Sequence, residues 1–479
     1  MSSRPFDLGI LAALDGNGDR PRLPIPSHHF VTHGVVVGMT GSGKTGLSMV
    51  IVEEALRSQV PVIVIDVKGD LPNLMLTFPD ESPARFLPWI DGLTAQRDGR
   101  APEDLAAELS TERSNELAQW ELSDAPRDLR EHSVVRLFTP GATIGEPLDI
   151  LSTLERASPL WQQDEEIARS TTSAALSLVL RLLDRDPDPA TSREHAVLFV
   201  LAERRLRAGL ACTLEALIAD LTDPPIDEIG AMPLDEFLKR RERNALCAAL
   251  NVLLASPAFA SWRRGAALDV GAWLKPDDQG RTPASIVSIA HLDDDERMLV
   301  VGILLEEILA WVRTQPGTSA LRALIVFDEV YGFVPPHPAN PPSKRPLVSL
   351  LKQARAFGVG VVVATQNPMD IDYRALSNAG TWFVGRLQTD ADRARVVEGL
   401  MGVDGSVGDP ATLDATLKQL SPRWFVMRDV HTTWGPVLMH TRPTLSWMRG
   451  PMTRRELRQA HADITEETDG SKPIAHSPG

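Results

Sequence analysis

Residues 38–45 read Gly-Met-Thr-Gly-Ser-Gly-Lys-Thr, and their flanks constrain what the whole chain can fold into. Before them stands Gly34–Val37, a short apolar run. After them Lys44–Ser58 places Leu47, Val50, Ile51 and Leu56 at helical spacing. Pro61–Asp66 follows, a continuous apolar run of the kind that suits a parallel strand buried on both faces. Strand, glycine-rich turn, helix and strand in this order make a βαβ unit. Two parallel strands need such a crossover, so the segment predicts an α/β fold with a mainly parallel sheet.

The same alternation returns late in the chain. Ala284–Ala290, Ala323–Asp328 and Gly360–Ala364 read as buried strands, with helices at Asp294–Arg313 and near Leu347–Phe357. Further strands are expected at Thr381–Gly385, Trp424–Arg428 and Pro436–His440. Between the two α/β stretches the pattern is helical, at Leu160–Leu183, Ser192–Arg207, Thr213–Leu221 and Pro233–Leu254. A length of 479 residues exceeds the roughly 250–300 that one core supports. We therefore expect a strap or short hairpin at 1–33 and the first half of an α/β core at 34–150. A helical insertion at 151–280 and the second half of the core at 281–445 follow. Residues 446–479 are expected to hold a C-terminal helix and a disordered tail from about Asp463.

Composition narrows the setting. No apolar run reaches the ~18 residues that a membrane span needs. The opening Met-Ser-Ser-Arg-Pro has no secretory pattern. Cys212 and Cys247 are the only cysteines, which suits the cytoplasm. The net charge of −15 argues against a protein that coats nucleic acid with its whole surface, and leaves room for a ring with a basic pore. Residues 101–131 hold nine acidic against three basic side chains and read as a solvated face. Residues 422–460 hold seven arginines against Asp429 and Glu456, a basic strip that could face nucleotide, nucleic acid or an acidic neighbouring subunit.

Three segments carry chemistry. In Gly38, Met39, Thr40, Gly41, Ser42, Gly43, Lys44 and Thr45 the spacing is that of a P-loop, between a strand and a helix as the motif requires. The glycines let backbone N–H groups converge on phosphate oxygens, and the helix N-terminus adds partial positive charge there. Lys44 would meet the β- and γ-phosphates, and the Thr45 hydroxyl would ligate Mg²⁺. Residues 323–329, Ala-Leu-Ile-Val-Phe-Asp-Glu, form a buried strand ending in two carboxylates. Asp328 would hold Mg²⁺ through water and Glu329 would orient or deprotonate the attacking water. With no N-K-x-D-type base-reading motif, this pair points to ATP rather than GTP. The strand at 361–365 ends in Gln366 and Asn367, and Gln366 is placed to sense the γ-phosphate.

Together GMTGSGKT, VIDVKGD, VFDEV, RAFGVGVVVATQNP and the GRL at 385–387 resemble the HerA/FtsK group of motor ATPases, and most of all the bacterial HerA-like ATP-binding proteins. The resemblance runs from about residue 30 to 455. It implies a RecA-like core, a hexameric ring, ATP-driven movement of nucleic acid, and ATP sites at subunit interfaces. Carried over by motif, Lys44, Thr45, Asp328, Glu329 and Gln366 form the nucleotide site. Arg386 follows the sensor strand, where the family places an arginine that acts on a neighbour's ATP, and Arg355 is a second candidate. Asp66 and Lys68 match the family's D-P-K-G turn. HerA proteins carry an N-terminal β-barrel, and about 33 residues before the P-loop strand are too few for one.

DNA is the expected partner, with Lys344 and Arg345 in the loop from Tyr331 to Pro346 as candidate pore cations. A nuclease or an effector protein is a possible second partner. The alternative is a regulatory or scaffolding ring that acts on a protein. His28, His29 and His33 are expected to serve local hydrogen bonds rather than a nucleotide base, and Trp262, Trp311 and Trp382 to be core residues.

Overall fold

The computed structural model describes residues 4–14, 20–22, 24–91, 99–155, 160–257, 259–401 and 409–468. Each apolar run of the sequence becomes a strand whose alternate side chains enter different cores. Val35, Val37, Ile63, Ile65, Ile325 and Phe327 face one side of the sheet. Val36, Val62, Val64, Leu324 and Val326 face the other. A strand buried on both faces has no polar side to alternate with, which explains the unbroken apolar runs.

The strands are β1 Gly9–Ala12, β2 Gly34–Val37, β3 Val62–Asp66, β4 Ser133–Pro140, β5 Glu146–Asp149, β6 Ala266–Ala267, β7 Thr282–Ser288, β8 Ala323–Asp328, β9 Val359–Thr365, β10 Thr381–Val384, β11 Trp424–Asp429 and β12 Val437–Thr441. Among the described residues they join in one twelve-stranded sheet, in the order β1-β12-β11-β10-β2-β9-β8-β3-β7-β4-β5-β6. From β10 to β6 all neighbours are parallel. The edge from β10 through β11 and β12 to β1 is antiparallel. A two-residue hairpin at Glu228–Ile229 and Met232–Pro233 stands apart. The fold is the RecA-like α/β class expected, with a mainly parallel sheet.

Helices cover both faces. On one lies α1, Lys44–Arg57, together with α2, Pro102–Gln119, and α3, Ala125–His132. The other carries α4 Glu165–Leu182, α5 Arg193–Arg207, α6 Leu214–Thr222, α7 Arg240–Ala255 and α8 Asp294–Arg313. Helix α8 starts where Asp293 caps the Glu296 N–H at 2.8 Å and Glu296 returns a bond to the Asp293 N–H at 3.1 Å. Helix α9, Lys344–Gln353, begins earlier than expected. The segment near Asp463 continues α10, Arg454–Thr468, rather than starting a disordered tail, and residues 469–479 lie outside the described residues. Among the described residues no helix is long and apolar enough to cross a membrane. The two cysteines are buried, free thiols.

The P-loop helix is anchored by a buried ion network. Arg442, directly after β12, has a side chain that is 0% exposed. Its guanidinium reaches Glu53 at 2.9 Å and Glu54 at 3.0 Å on α1, and donates to the backbone oxygens of Asp7 at 2.9 Å and Pro443 at 2.7 Å. Glu53 also accepts the N–H groups of Leu445 and Ser446 and the Ser446 hydroxyl. Arg57 adds a second cation to Glu54 at 2.7 Å. Burial pushes the Glu54 carboxyl up, but Arg442 and Arg57 outweigh it and hold the group below its ordinary value. Breaking one partner of such a network strands a buried charge, at a cost of about 3–5 kcal/mol. Arg442→Met is therefore expected to lose about that much stability in urea unfolding, whereas a cost below ~1 kcal/mol would mean that water or a rearranged partner replaces the arginine.

Candidate functional site

The C-terminal ends of the parallel strands carry the predicted residues. After β2 the chain turns through Gly41 and Gly43, both at positive φ, into the first turn of α1. Gly43 is needed twice over. Its φ is +97°, and a Cβ there would lie 3.1 Å from the Arg423 backbone nitrogen. That nitrogen donates to the Ser42 carbonyl at 2.9 Å, so the residue before β11 holds the loop from outside. Met39 donates to the Arg386 carbonyl at 2.8 Å, which ties the loop to the end of β10. Lys44 is buried and bonds the Gly38 and Met39 carbonyls at 2.5 and 3.1 Å. Burial pulls its ammonium down to about 8, against the opposing pull of Glu329 and Asp328.

Four side chains form a line across the strand ends. Thr40, after β2, donates to the Gln366 Oε1 at 2.7 Å. Gln366, after β9, donates through Nε2 to the Glu329 Oε2 at 2.8 Å. Lys68, after β3, donates to the same carboxylate oxygen at 2.6 Å. Glu329 itself directly follows β8. Strands β2, β9, β8 and β3 are consecutive in the sheet, so the line follows their spatial order. Glu329 adopts φ +62°, a left-handed conformation costing a non-glycine residue about 1–3 kcal/mol. The Val330 N–H bond to the Ala364 carbonyl, at 2.9 Å, holds the chain there.

Beside this line lie two buried acids in register, Asp328 and Asp66. Burial pushes Asp66 up to about 6, although the Ser288 hydroxyl and the N–H groups of Gly69 and Leu71 bond its carboxylate. Burial, and then Asp66, pushes Asp328 up to about 7. The Asp328 Oδ2 is buried and has no hydrogen-bond partner among the described residues. Such an oxygen suits a hydrated cation, and Thr45, in the first turn of α1, would supply a hydroxyl. Converging N–H groups, an ammonium, an acceptor for a cation and a fixed carboxylate together can hold a polyphosphate and direct water at it.

The other predicted residues are placed unequally. Arg386 is exposed and makes no side-chain ion pair among the described residues. Arg355 precedes β9 and so stands at the opposite end of that strand from Gln366. Seven residues of strand separate the two, about 20 Å. Arg355 is therefore not beside its own P-loop. Lys344 is not a pore-loop cation. It is buried in the first turn of α9, paired with Asp372 at 3.1 Å and bonded to the Ala339 carbonyl. A loop rich in prolines folds back on it. Arg345 is 64% exposed and paired with Glu166 of α4. His29 bonds Asp429 at 2.6 Å, and His33 accepts the Val361 N–H at 3.1 Å, both at the end of the sheet away from the P-loop. By sequence Lys68 is only part of the Asp66–Gly69 turn. Its contact with Glu329 depends on β3 and β8 being neighbours, which spacing alone does not show. Arg423 left no local signal beyond the arginine-rich strip.

Residues 22–139 match the family described as Helicase HerA, central domain. The chain is similar to the HerA/FtsK-type P-loop motor ATPases. The plasmid coupling protein TrwB, solved with the non-hydrolysable ATP analogue ADPNP, shares its fold at 13% identity and a TM-score of 0.51, over 94% of this chain and 97% of TrwB. VirB4 of Thermoanaerobacter pseudethanolicus aligns over 92% of this chain and 98% of its own, with 13% identity and a TM-score of 0.49. No curated protein matches the sequence.

At residue 43 of this HerA-like loop a Cβ would press tightly on the Arg423 backbone. Gly43→Ala is expected to lose about 1–2 kcal/mol from the positive φ alone. Binding of inorganic tripolyphosphate, measured by calorimetry, should weaken at least about tenfold, because the loop must move away from Arg423.

Proposed function

We propose that this chain is an ATP-hydrolysing motor of the HerA/FtsK type that moves DNA, working as a homo-oligomeric ring of six subunits in the cytoplasm. The observation that carries the reading is the line from Thr40 through Gln366 and Glu329 to Lys68, set beside Lys44 and the unpartnered Asp328 oxygen. It joins the phosphate loop directly to a carboxylate able to act on water. The HerA central-domain match and the TrwB fold, seen there with an ATP analogue, support it.

In this reading the N–H groups of residues 38–45 and the Lys44 ammonium bind the β- and γ-phosphates. Thr45 and Asp328 would hold Mg²⁺, which supplies charge neutralisation on the phosphate oxygens. Glu329 accepts the proton of the attacking water. Gln366, bonded to Thr40 on one side and Glu329 on the other, reports the γ-phosphate to the base. Lys68 holds the Glu329 carboxylate in place. Arg386 stands exposed at the same end of the sheet, where a neighbouring subunit's phosphates would meet it.

A protein-directed regulatory ring, acting on an effector or nuclease partner, is the second reading. The net charge of −15 and the burial of Lys344 favour keeping it, since both reduce the cationic surface open to DNA. Phosphate release measured with and without double- and single-stranded DNA separates the two. A DNA motor should be stimulated at least severalfold, and a rate indifferent to either DNA would leave the regulatory ring.

Lys44→Ala should abolish turnover and weaken ATP binding. Glu329→Gln keeps size and hydrogen bonding, so ATP should bind within about threefold of the parent while turnover falls by about 10²–10⁴. Equal losses of binding and turnover would make Glu329 a structural residue.

Arg386 is tested by mixing. Arg386→Ala should bind ATP and lose about 10³-fold or more in rate, if its guanidinium acts on transferring phosphate. An excess of Glu329→Gln subunits should restore part of that rate. The intact pair arises where the Arg386→Ala subunit supplies the pocket and its neighbour supplies the arginine. Mixtures that exchange subunits yet stay inactive would place the action of Arg386 in its own pocket.

A further inference from the structure

Two cavities meet where the helical insertion rests on α8 and α9, on the face of the sheet away from α1. The larger, of about 840 Å³, lies between α4, α5, α8 and the segment that leads from β8 into α9. The smaller, of about 290 Å³, lies between α4, α8 and α9. Pockets for small molecules span roughly 300–1,000 Å³. Ser170, Glu306 and Arg345 line both cavities, so the two share one carboxylate.

Glu306 stands on α8 and is 8% exposed. Its carboxylate makes no hydrogen bond and no ion pair among the described residues. Neither of its oxygens is sealed by packing, so the carboxylate borders the cavities. The cations around it are engaged elsewhere. Arg345 of α9 is paired with Glu166 of α4. Arg313 of α8 reaches Asp164, the cap of α4, at 2.8 Å and Gln353 at 3.0 Å. Arg169 of α4 is held by Glu203 at 2.9 Å. His195 of α5 lies 3.1 Å from the Ser173 carbonyl, and burial pulls its imidazole below the ordinary value. Asp188 and Glu307 add further acids nearby. Glu306 is therefore surplus negative charge. Burial pushes its carboxyl up to about 7, against the opposing pull of Arg345 and Arg313. A proton thus occupies the place that a cation would take.

From Glu306 the larger cavity continues between apolar walls, formed by Ala196, Phe199 and Val200 of α5, Leu299 of α8, and Pro341 with Pro342. The proline wall is firmly seated. A Cβ on Gly302 of α8 would lie 3.0 Å from the Pro342 Cβ, and the Ser343 hydroxyl donates to the Phe333 carbonyl at 2.7 Å. A single buried acid at one end of an apolar chamber suits a molecule with one cationic end and an apolar body.

We propose that the joined cavities are a binding site for a small primary amine, its ammonium on Glu306 and its apolar body against Phe199 and Pro341. The site is separate from the nucleotide's and stands whether or not the P-loop reading does. Since residues 340–342 form one wall, an occupant braces the segment that follows Glu329.

The probe is 2-phenylethylamine, with 2-phenylethanol as its neutral counterpart, titrated by calorimetry into the full chain. The amine should bind at least about tenfold more tightly than the alcohol. Its binding should release about half a proton near pH 7, read from heats in buffers of different ionisation enthalpy, and should tighten from about pH 6 to about pH 8 as Glu306 ionises. Glu306→Gln should lose both the preference and the proton release, and keep alcohol binding within about twofold. Ala196→Trp, which fills the cavity from a half-buried position, should weaken both ligands at least about tenfold. Amide hydrogen exchange of residues 339–345 should slow with the amine. Should Glu306→Gln fail to fold, the alcohol comparison and the proton release of the wild type decide. Equal affinity for amine and alcohol, or a folded Glu306→Gln protein that still prefers the amine, would overturn the site. So would amine binding that leaves the exchange of residues 339–345 unchanged, or no binding of the amine at millimolar concentration.

Discussion

Helix α1 carries the phosphate loop at its N-terminus, so where that helix sits decides where the loop points. Two adjacent glutamates in its middle, Glu53 and Glu54, are wholly buried, and neither would be tolerated without Arg442. The arginine arrives from the far end of the chain, just after β12, and brings the backbone of residues 443–446 with it. Asp7, before β1, joins the same cluster through its N–H and carbonyl. The helix is thus positioned by the two ends of the chain rather than by its sequence neighbours. Charge inside the core makes this arrangement specific, because an apolar residue at 442 could pack in many ways and a guanidinium meeting two carboxylates in one.

The functional end of the sheet combines rigid and strained parts. Strands β3, β8 and β9 are buried throughout. At their ends stand a glutamate in a left-handed conformation and an aspartate with an unpartnered oxygen, and beside them, at the start of α1, a lysine whose ammonium is partly desolvated. Each is unfavourable by itself. Together they fit a ligand that brings negative charge and a cation, and the free site is poised for it.

Much of this was legible in the sequence. The unbroken apolar runs named β2, β3, β7, β8 and β9 because a doubly buried strand admits few polar residues. The helix at Asp294–Arg313 was legible to the residue, since three aspartates and a glutamate cap it and Arg313 ends it. The P-loop, Asp328 and Glu329 were legible because strand, turn and charge follow within a few residues. Contacts between distant segments were not. Lys68 reaches Glu329, Arg442 enters the core and Glu116 meets Arg423 only because the sheet order brings them together. The arginine-rich strip illustrates the limit. Its charge suggested a strip facing nucleotide, nucleic acid or a neighbouring subunit; Arg423 does pack on the P-loop, whereas Arg442 is buried against Glu53 and Glu54. Lys344 failed likewise, because Asp372, which neutralises it, lies after the following strand.

Strand β2, which leads into the phosphate loop, has β9 and β10 as its neighbours. They are made about 320 and about 345 residues after it, which at roughly 5–20 residues per second is a delay on the order of 15–70 s during synthesis. Throughout that interval an apolar strand has neither of its partners, and the nascent chain must keep Gly34–Val37 from pairing elsewhere. The helices of residues 165–255, built largely from local contacts, can form while it waits. A chain released before residue 384 would lack β10 and expose one side of β2. The fold thus delays its phosphate loop until almost the whole polypeptide has been made, and truncated products cannot assemble the site.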